Sequence, residues 1–215
     1  MYLLRVALPD RPGSLGAVAS ALGLAKADIS AVEIVEKGGG RVIDDFMLNI
    51  PDDVRPDALV TACTLLPGVE VLWISSYPEN WGLNSDLDML DAMAEHPYHA
   101  EQMLVDSAPS TFHCAWGLVV DRYDGSVRHR SALAPQVPSV PDGVFGDLGV
   151  ARVGEVQAGW LDDWGAHSIA VAPCCPERTV VVGRPGPEFR PSELARLRHV
   201  ALIAGEHMAA AQGCS

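Results

Sequence analysis

The chain begins with an apolar run, YLLRVAL (2–8), broken by one charge, Arg5, and closed by Pro9. Such a run predicts a strand buried on most of its surface. From 15 to 25 the spacing changes: Leu15, Val18, Ala19, Leu22 and Ala25 recur at helical intervals and predict one apolar helix face. Residues 29–36, ISAVEIVE, are rich in β-branched side chains and predict a strand. Its partner is RVIDDFMLNI (41–50), with Val42, Phe46, Leu48 and Ile50 on one face and Asp44 as the exception. The glycines of KGGGR between them predict a hairpin, because they tolerate positive φ. A second helix is bracketed by Pro51-Asp52 and Pro67-Gly68, and VEVLWIS (69–75) reads as a last strand. The order is βαββαβ, the split-βαβ or ferredoxin-like arrangement: an antiparallel four-stranded sheet with both helices on one face. The other face is expected to stay open, and a second copy can cover it or extend the sheet edge.

Residues 76–85 are turn-rich and carry no periodicity. They predict a linker over 77–85 between a domain at 1–76 and another at 86–215. Helical spacing resumes at Leu87, Leu90, Met93 and Ala94, is interrupted by Pro97, and continues through Ala100, Met103 and Leu104. Two helices or one kinked helix both satisfy that pattern. HCAWGLVVD (113–121) predicts a strand, YDG (123–125) a turn, and SVRHRSALA (126–134) an antiparallel partner. The segment 135–149 is too rich in proline and glycine for a regular element, and its length predicts a lid or lobe. Strands follow within 150–160, 167–174 and 178–186. A closing helix from Pro191 has Ser192 as its expected cap and Leu194, Leu197, Val200, Ala201 and Ala204 as its apolar face. The fold class is therefore α+β, with a second antiparallel sheet packed by helices on one face.

Composition narrows the function classes. The 215 residues carry a net charge of −13 and a sequence pI near 4.8. That field repels phosphate backbones and anionic lipid, so neither direct nucleic-acid binding nor a membrane partner is expected. No apolar run approaches the roughly 20 residues of a membrane span. The first residues lack the basic start and apolar core of a signal peptide, which gives a cytoplasmic expectation. Cys63, Cys114, Cys174, Cys175 and Cys214 are odd in number and irregular in spacing, unlike a secreted disulfide framework.

The stretch Asp10-Arg11-Pro12-Gly13-Ser14-Leu15, followed by Ala27-Asp28-Ile29, resembles an ACT domain, an amino-acid-sensing module of metabolic regulators. The resemblance covers residues 2–75 and agrees with the βαββαβ order. It implies a homodimer that holds an amino acid at its interface. The implied ligand-binding residues are Asp10, Arg11, Gly13, Ser14, Leu15, Asp28 and Ile29. Many family members have Asn where this chain has Asp28, and a carboxylate there favours an ammonium group and opposes a carboxylate. The second half resembles a GAF-like domain in its order of elements and in the run from Phe189 to Ala201. GAF domains bind small ligands or support dimers and share no fixed catalytic set.

The residues themselves carry the same question. Pro12 pre-sets φ and Gly13 permits a turn that aims backbone N–H groups into solvent at the positive end of a helix. A ligand carboxylate suits that position, and Asp10 or Asp28 suits the ammonium group. The alternative is that Asp10 and Ser14 only cap the helix. His96 and His99 have a spacing that metal ligands use, but Pro97 disturbs it and no third partner is spaced to match, so no metal and no cofactor is expected. Cys174-Cys175 is a vicinal pair with buried or half-buried thiols as its plain reading. Trp116, Phe145, Trp160 and Trp164 either line a pocket under 135–149 or form core. Asp121-Arg-Tyr-Asp124-Gly reads as a hairpin turn. No nucleophile elbow, phosphate-binding loop, dinucleotide fingerprint or zinc-protease motif is present. The expectation is a non-catalytic sensor. The competing reading is an enzyme of unrecognised type with His113, His129, His167 and Cys174-Cys175 as its candidates.

Overall fold

The computed structural model describes residues 1–76, 85–156, 160 and 165–213. The chain is α+β and divides into two compact units, 1–79 and 80–215. Most of the expected linker lies outside the described residues, and Ser85 already belongs to a helix.

In the first unit the elements are β1 (Tyr2–Pro9), α1 (Ser14–Leu24), β2 (Asp28–Gly38), β3 (Arg41–Asn49), α2 (Pro56–Thr64) and β4 (Glu70–Ser76). The sheet order is β2-β3-β1-β4 and every pair is antiparallel, which is the ferredoxin-like arrangement. Gly39 and Gly40 close the β2–β3 hairpin with φ of 60° and 76°. A two-residue turn of this kind needs positive φ at both positions, which glycine adopts without strain. The core lies between sheet and helices: Leu4, Val6, Leu8, Val42, Phe46 and Leu48 meet Val18 and Leu22 of α1 and Leu59 and Cys63 of α2. Leu15 was assigned to the same helix face but is 41% exposed; the buried side of α1 begins one turn later, at Val18. Helix α2 starts at Pro56 rather than Pro51; residues 52–54 form a turn, and the later proline sits where a helix's first N–H needs no partner.

The opposite face of this sheet is not open at its centre. Leu3, Arg5, Ala7, Asp45 and Met47 point there, and each is 5% exposed or less. Arg5 and Asp45 are cross-strand neighbours, and Arg5 Nε and Nη2 each donate to an Asp45 carboxylate oxygen at 2.7 Å. A guanidinium can be buried to this degree only when paired, and the two-point geometry is the strongest form of that pair.

The second unit holds α3 (Ser85–Glu95), a 3₁₀ turn at Pro97–His99, α4 (Ala100–Thr111), β5 (Trp116–Asp121), β6 (Val127–Arg130), β7 (Arg152–Val156), β8 (His167–Pro173), β9 (Arg178–Arg184) and α5 (Pro191–Gly213). Pro97 thus separates two helices. The antiparallel sheet runs β6-β5-β9-β8-β7. One face carries Val119, Ala170, Ala172, Val180 and Val182 against α3, α4 and α5. The other carries Leu118, Val120, Ile169, Val171 and Val181 against the proline- and glycine-rich segment, which contributes Val140 and Phe145. That segment is a packed third layer. It explains why β8 and β9 are buried on both faces and read as continuous apolar runs.

Strand β6 is shorter than predicted. Ser131 Oγ accepts a hydrogen bond from Gly117 N at 2.9 Å, and Ser131 N donates to Gly117 O at 3.0 Å. The side chain replaces one rung of the ladder and releases the chain into the third layer. Helix α5 begins at Pro191, so Ser192 lies inside the first turn and is not its cap. Arg190 N donates instead to Glu193 Oε2 at 2.7 Å, the returning half of a capping box. Trp116 and Phe145 are buried core with ring centroids 6.1 Å apart, and Trp160 meets Phe145 edge-on at 5.3 Å. Trp164 and Cys214 lie outside the described residues.

Candidate functional site

The β1–α1 turn is built from Asp10, Arg11, Pro12 and Gly13. Asp10 N donates to Gly40 O at 2.9 Å, which ties the turn to the β2–β3 hairpin. Lys37 Nζ lies 3.0 Å from Asp10 Oδ1. Gly13 takes φ 90° at the position before α1, and no side chain caps the helix. Asp10 and Ser14 therefore do not act as caps. Ser14 N reaches Arg11 O at 3.2 Å, and Ala17 N bonds Gly13 O. Arg11, Pro12, Gly13, Leu15 and Gly16 are exposed, so the helix start faces solvent at its positive end.

Asp28 and Ile29 are elsewhere. They open β2, where Asp28 pairs with Asn49, whereas Asp10 sits beside the hairpin at the far end of the same strand. Ten residues of strand separate the two ends by roughly 30 Å. Within one chain, Asp10, Arg11, Gly13, Ser14 and Leu15 come together, and Asp28 and Ile29 do not join them. β2 is an edge strand of its sheet, with Asp28, Val32, Ile34 and Lys37 exposed.

The second unit encloses a cavity of about 340 Å³ between the β5–β6 turn and the third layer. Arg122, Tyr123, Phe145, Asp142 and Asp147 are among its lining residues. Arg122 Nη1 donates to Pro176 O at 2.8 Å, while its buried Nε has no partner among the described residues. The size is at the lower end of small-molecule sites. The neighbouring Asp121–Gly125 segment is a turn: Asp121 Oδ1 accepts from Tyr123 N at 3.0 Å and Asp124 Oδ1 from Ser126 N at 2.8 Å. These bonds hold both carboxylates below the usual range, Asp121 through Arg128 first and Asp124 through Ser126 first.

A second polar cluster lies under the start of α4. Glu101, 3% exposed, is ion-paired with Arg178 at the start of β9. Burial pushes its carboxyl up, and Arg178 acts against that. Cys174 Sγ lies 3.3 Å from Arg178 O and 3.9 Å from Glu101 Oε2. Cys174 is buried and Cys175 half-buried, in the short connection from β8 to β9. Side by side, the two thiols are pushed apart, Cys174 up and Cys175 down to about 6.

The histidines are dispersed. His113 precedes β5, buried, with φ 50°, and its carbonyl accepts from Arg184 at 3.2 Å. His167 opens β8 with Nδ1 2.9 Å from Gly165 O. His129 on β6 is 2.9 Å from Asp106 of α4. Cys174-Cys175 lies past the far end of β8 from His167, about 20 Å along the strand. His99 sits immediately before α4, and among the described residues no group of three or more His, Cys, Asp or Glu is arranged to hold a metal. Among the described residues no helix is long and apolar enough to cross a membrane.

Sequence reasoning did not single out Glu101, Arg178 or Arg122. One signal was available: Glu101 shares its helix face with Leu104, Val105 and Ala108, all buried. A carboxylate on that stripe needs a buried cation.

No protein-family model matches the sequence, and no curated protein matches it. Among solved structures, a formyltetrahydrofolate deformylase from Pseudomonas putida KT2440 is similar at 14% identity and a TM-score of 0.30, over 44% of this chain and 38% of that one. This chain thus spans well under half of that protein. An unknown protein from Galdieria sulphuraria is similar at 13% identity and a TM-score of 0.32, over 95% of this chain and 90% of that one. Likenesses of this size assign neither family nor activity.

Proposed function

We propose that this protein is a non-catalytic regulatory sensor with an ACT-like first unit that binds an amino acid or a similar small molecule across a homodimer. The observation that carries this reading is the uncapped, solvent-facing start of α1 behind Gly13. Its backbone N–H groups suit a carboxylate. Asp10 is engaged by Lys37, so the ammonium group falls to the carboxylate of Asp28. One chain does not bring the two ends together. Two copies do so if their β2 edges pair antiparallel about a two-fold axis, because each hairpin end then lies beside the partner's Asp28 end. The second unit, read as GAF-like, takes a second ligand or partner, for which the 340 Å³ cavity is the nearest fit.

The test is a thermal-shift screen of the purified protein against the twenty amino acids, with native mass measured by light scattering. One amino acid should raise the melting temperature in a dose-dependent way, by about 2.7 kcal/mol of stabilisation at a hundredfold excess over Kd. Asp28→Asn should change which ligand is preferred. Unchanged affinities across the panel in that variant would remove Asp28 from the site. A silent screen with the mass of a single chain would remove the sensor reading.

A further inference from the structure

We propose that the cavity of the second unit is a site for a small zwitterion, an α-amino acid whose carboxylate meets Arg122 and whose ammonium group meets Asp142 and Asp147. This deepens the reading of the second unit as ligand-binding and rests on it. Arg122 lines the cavity of about 340 Å³. Its backbone N donates to Glu177 O at 2.8 Å, and its Nη1 donates to Pro176 O at 2.8 Å and lies 3.4 Å from Cys175 O. The backbone and one end of the guanidinium are thus fixed on the β8–β9 connection. Nε is buried without a partner, and among the described residues no carboxylate pairs with Arg122. A guanidinium N–H shut away from water is costly to leave unpaired. Arg5 shows what the Nε–Nη2 edge can take, since there it holds both oxygens of Asp45.

The opposite charge stands close by. Arg122 and Asp147 both flank Gly149: a side chain there would collide with the Arg122 guanidinium and lie 3.1 Å from Asp147 Oδ1. That oxygen accepts from Gly149 N at 2.7 Å, which leaves the second Asp147 oxygen for a ligand. Asp142, also on the cavity wall, is exposed and has no partner among the described residues. Asp121 and Asp124 of the neighbouring turn are engaged, the first by Arg128 and Tyr123 N, the second by Ser126 N. Val140, Phe145 and Leu148 give the cavity its apolar wall.

The mixture of signs selects the ligand. A simple anion would gain Arg122 but meet two carboxylates, in a chain of net charge −13. A simple cation would gain the carboxylates and leave Arg122 unpaired. A zwitterion satisfies both and carries no net charge into that field. Size agrees, since a cavity at the lower end of the range for small-molecule sites suits a compact ligand. Arg122 is already held by backbone carbonyls and Asp147 by Gly149 N, so binding orders few side chains.

The experiment titrates the full chain with each of the twenty amino acids by calorimetry and locates the bound ligand by hydrogen exchange. The amino acid that binds should slow exchange at residues 122–125 and 140–149. Its methyl ester and its N-acetyl form, each missing one charge, should bind about tenfold more weakly or worse. Arg122→Gln should weaken the free amino acid to a similar degree, and Gly149→Ala should do so with Arg122 still present but displaced. Asp28→Asn, in the first unit, should leave this binding unchanged. Protection confined to residues 10–17, or binding at 140–149 that survives both capped ligands and Arg122→Gln, would overturn this site and leave the dimer reading standing. Protection at 140–149 with none at 10–17, in a protein with the mass of a single chain, would do the reverse. A silent titration would overturn both. The capped ligands decide the matter even if a variant fails to fold.

Discussion

Asp44 is a carboxylate in a position built for an apolar side chain. It lies on β3 between Val42 and Phe46 on the face turned to α1 and α2, opposite Val6 of β1. It is 2% exposed, and its Oδ1 has no partner among the described residues. Burial, with Asp45 beside it, pushes its carboxyl up to about 6. The folded chain therefore holds a proton that the unfolded chain, at 3.8, releases. That stabilisation is complete below about pH 4 and is lost as the pH rises through 6, a swing on the order of 3 kcal/mol. Urea unfolding at several pH values should show stability falling over that window, and Asp44→Asn should remove this part of the fall. Equal slopes for both proteins would place the Asp44 carboxyl at an ordinary value. The sequence marked this residue as an exception in its strand, and periodicity was enough for that. Arg5 was marked in the same way. Its partner was not legible, because the pairing of Arg5 with Asp45 depends on strand register, which a single sequence leaves open.

At the scale of elements, two glycines inside helices look alike in the sequence and differ in their surroundings. Gly16 of α1 has open space where a side chain would project. Gly205 of α5 would drive a Cβ into the backbone carbonyl of Cys174. Gly16→Ala should follow helix propensity and stabilise by up to about 1 kcal/mol. Gly205→Ala should reverse that sign, at a cost of roughly 1–3 kcal/mol, because a backbone carbonyl cannot swing aside. Denaturation midpoints of the two variants against the parent check the contrast, and a gain in both would mean that α5 sits further from β8. The elements were legible where apolar spacing is regular, as in α1, β1, β8, β9 and α5. They were less so where local hydrogen bonds decide. Ser131 ends β6 by taking a ladder bond, and Glu193 rather than Ser192 closes the start of α5. The segment 135–149 was legible as irregular. Its role as a packed layer was not, since Val140 and Phe145 are too few and too unevenly spaced to announce a buried face.

For the whole molecule, the ferredoxin-like order of the first unit was legible because its six elements alternate cleanly. The candidate site was legible only as a set of residues, since nothing in the sequence says that Asp28 and Asp10 lie at opposite ends of β2. The proposed dimer brings them together, and charge governs its strength. Each chain carries a net charge of −13. The β2 edge itself has Asp28, Glu33 and Glu36 against Lys37 alone. Two such edges repel at low ionic strength, where the Debye length is about 30 Å, and far less at physiological salt, where it is about 8 Å. Association should therefore tighten as salt is raised from 10 to 150 mM, the reverse of a contact held by ion pairs. Ile34, 62% exposed on this edge, supplies part of the apolar surface, and a lysine there blocks edge pairing. Ile34→Lys should shift the protein to single chains without lowering the stability of the unit, as read by sedimentation velocity and by thermal unfolding. A dimer that weakens with salt, or that survives Ile34→Lys, would move the interface away from β2. The Asp28 end would then no longer meet the partner's α1 turn.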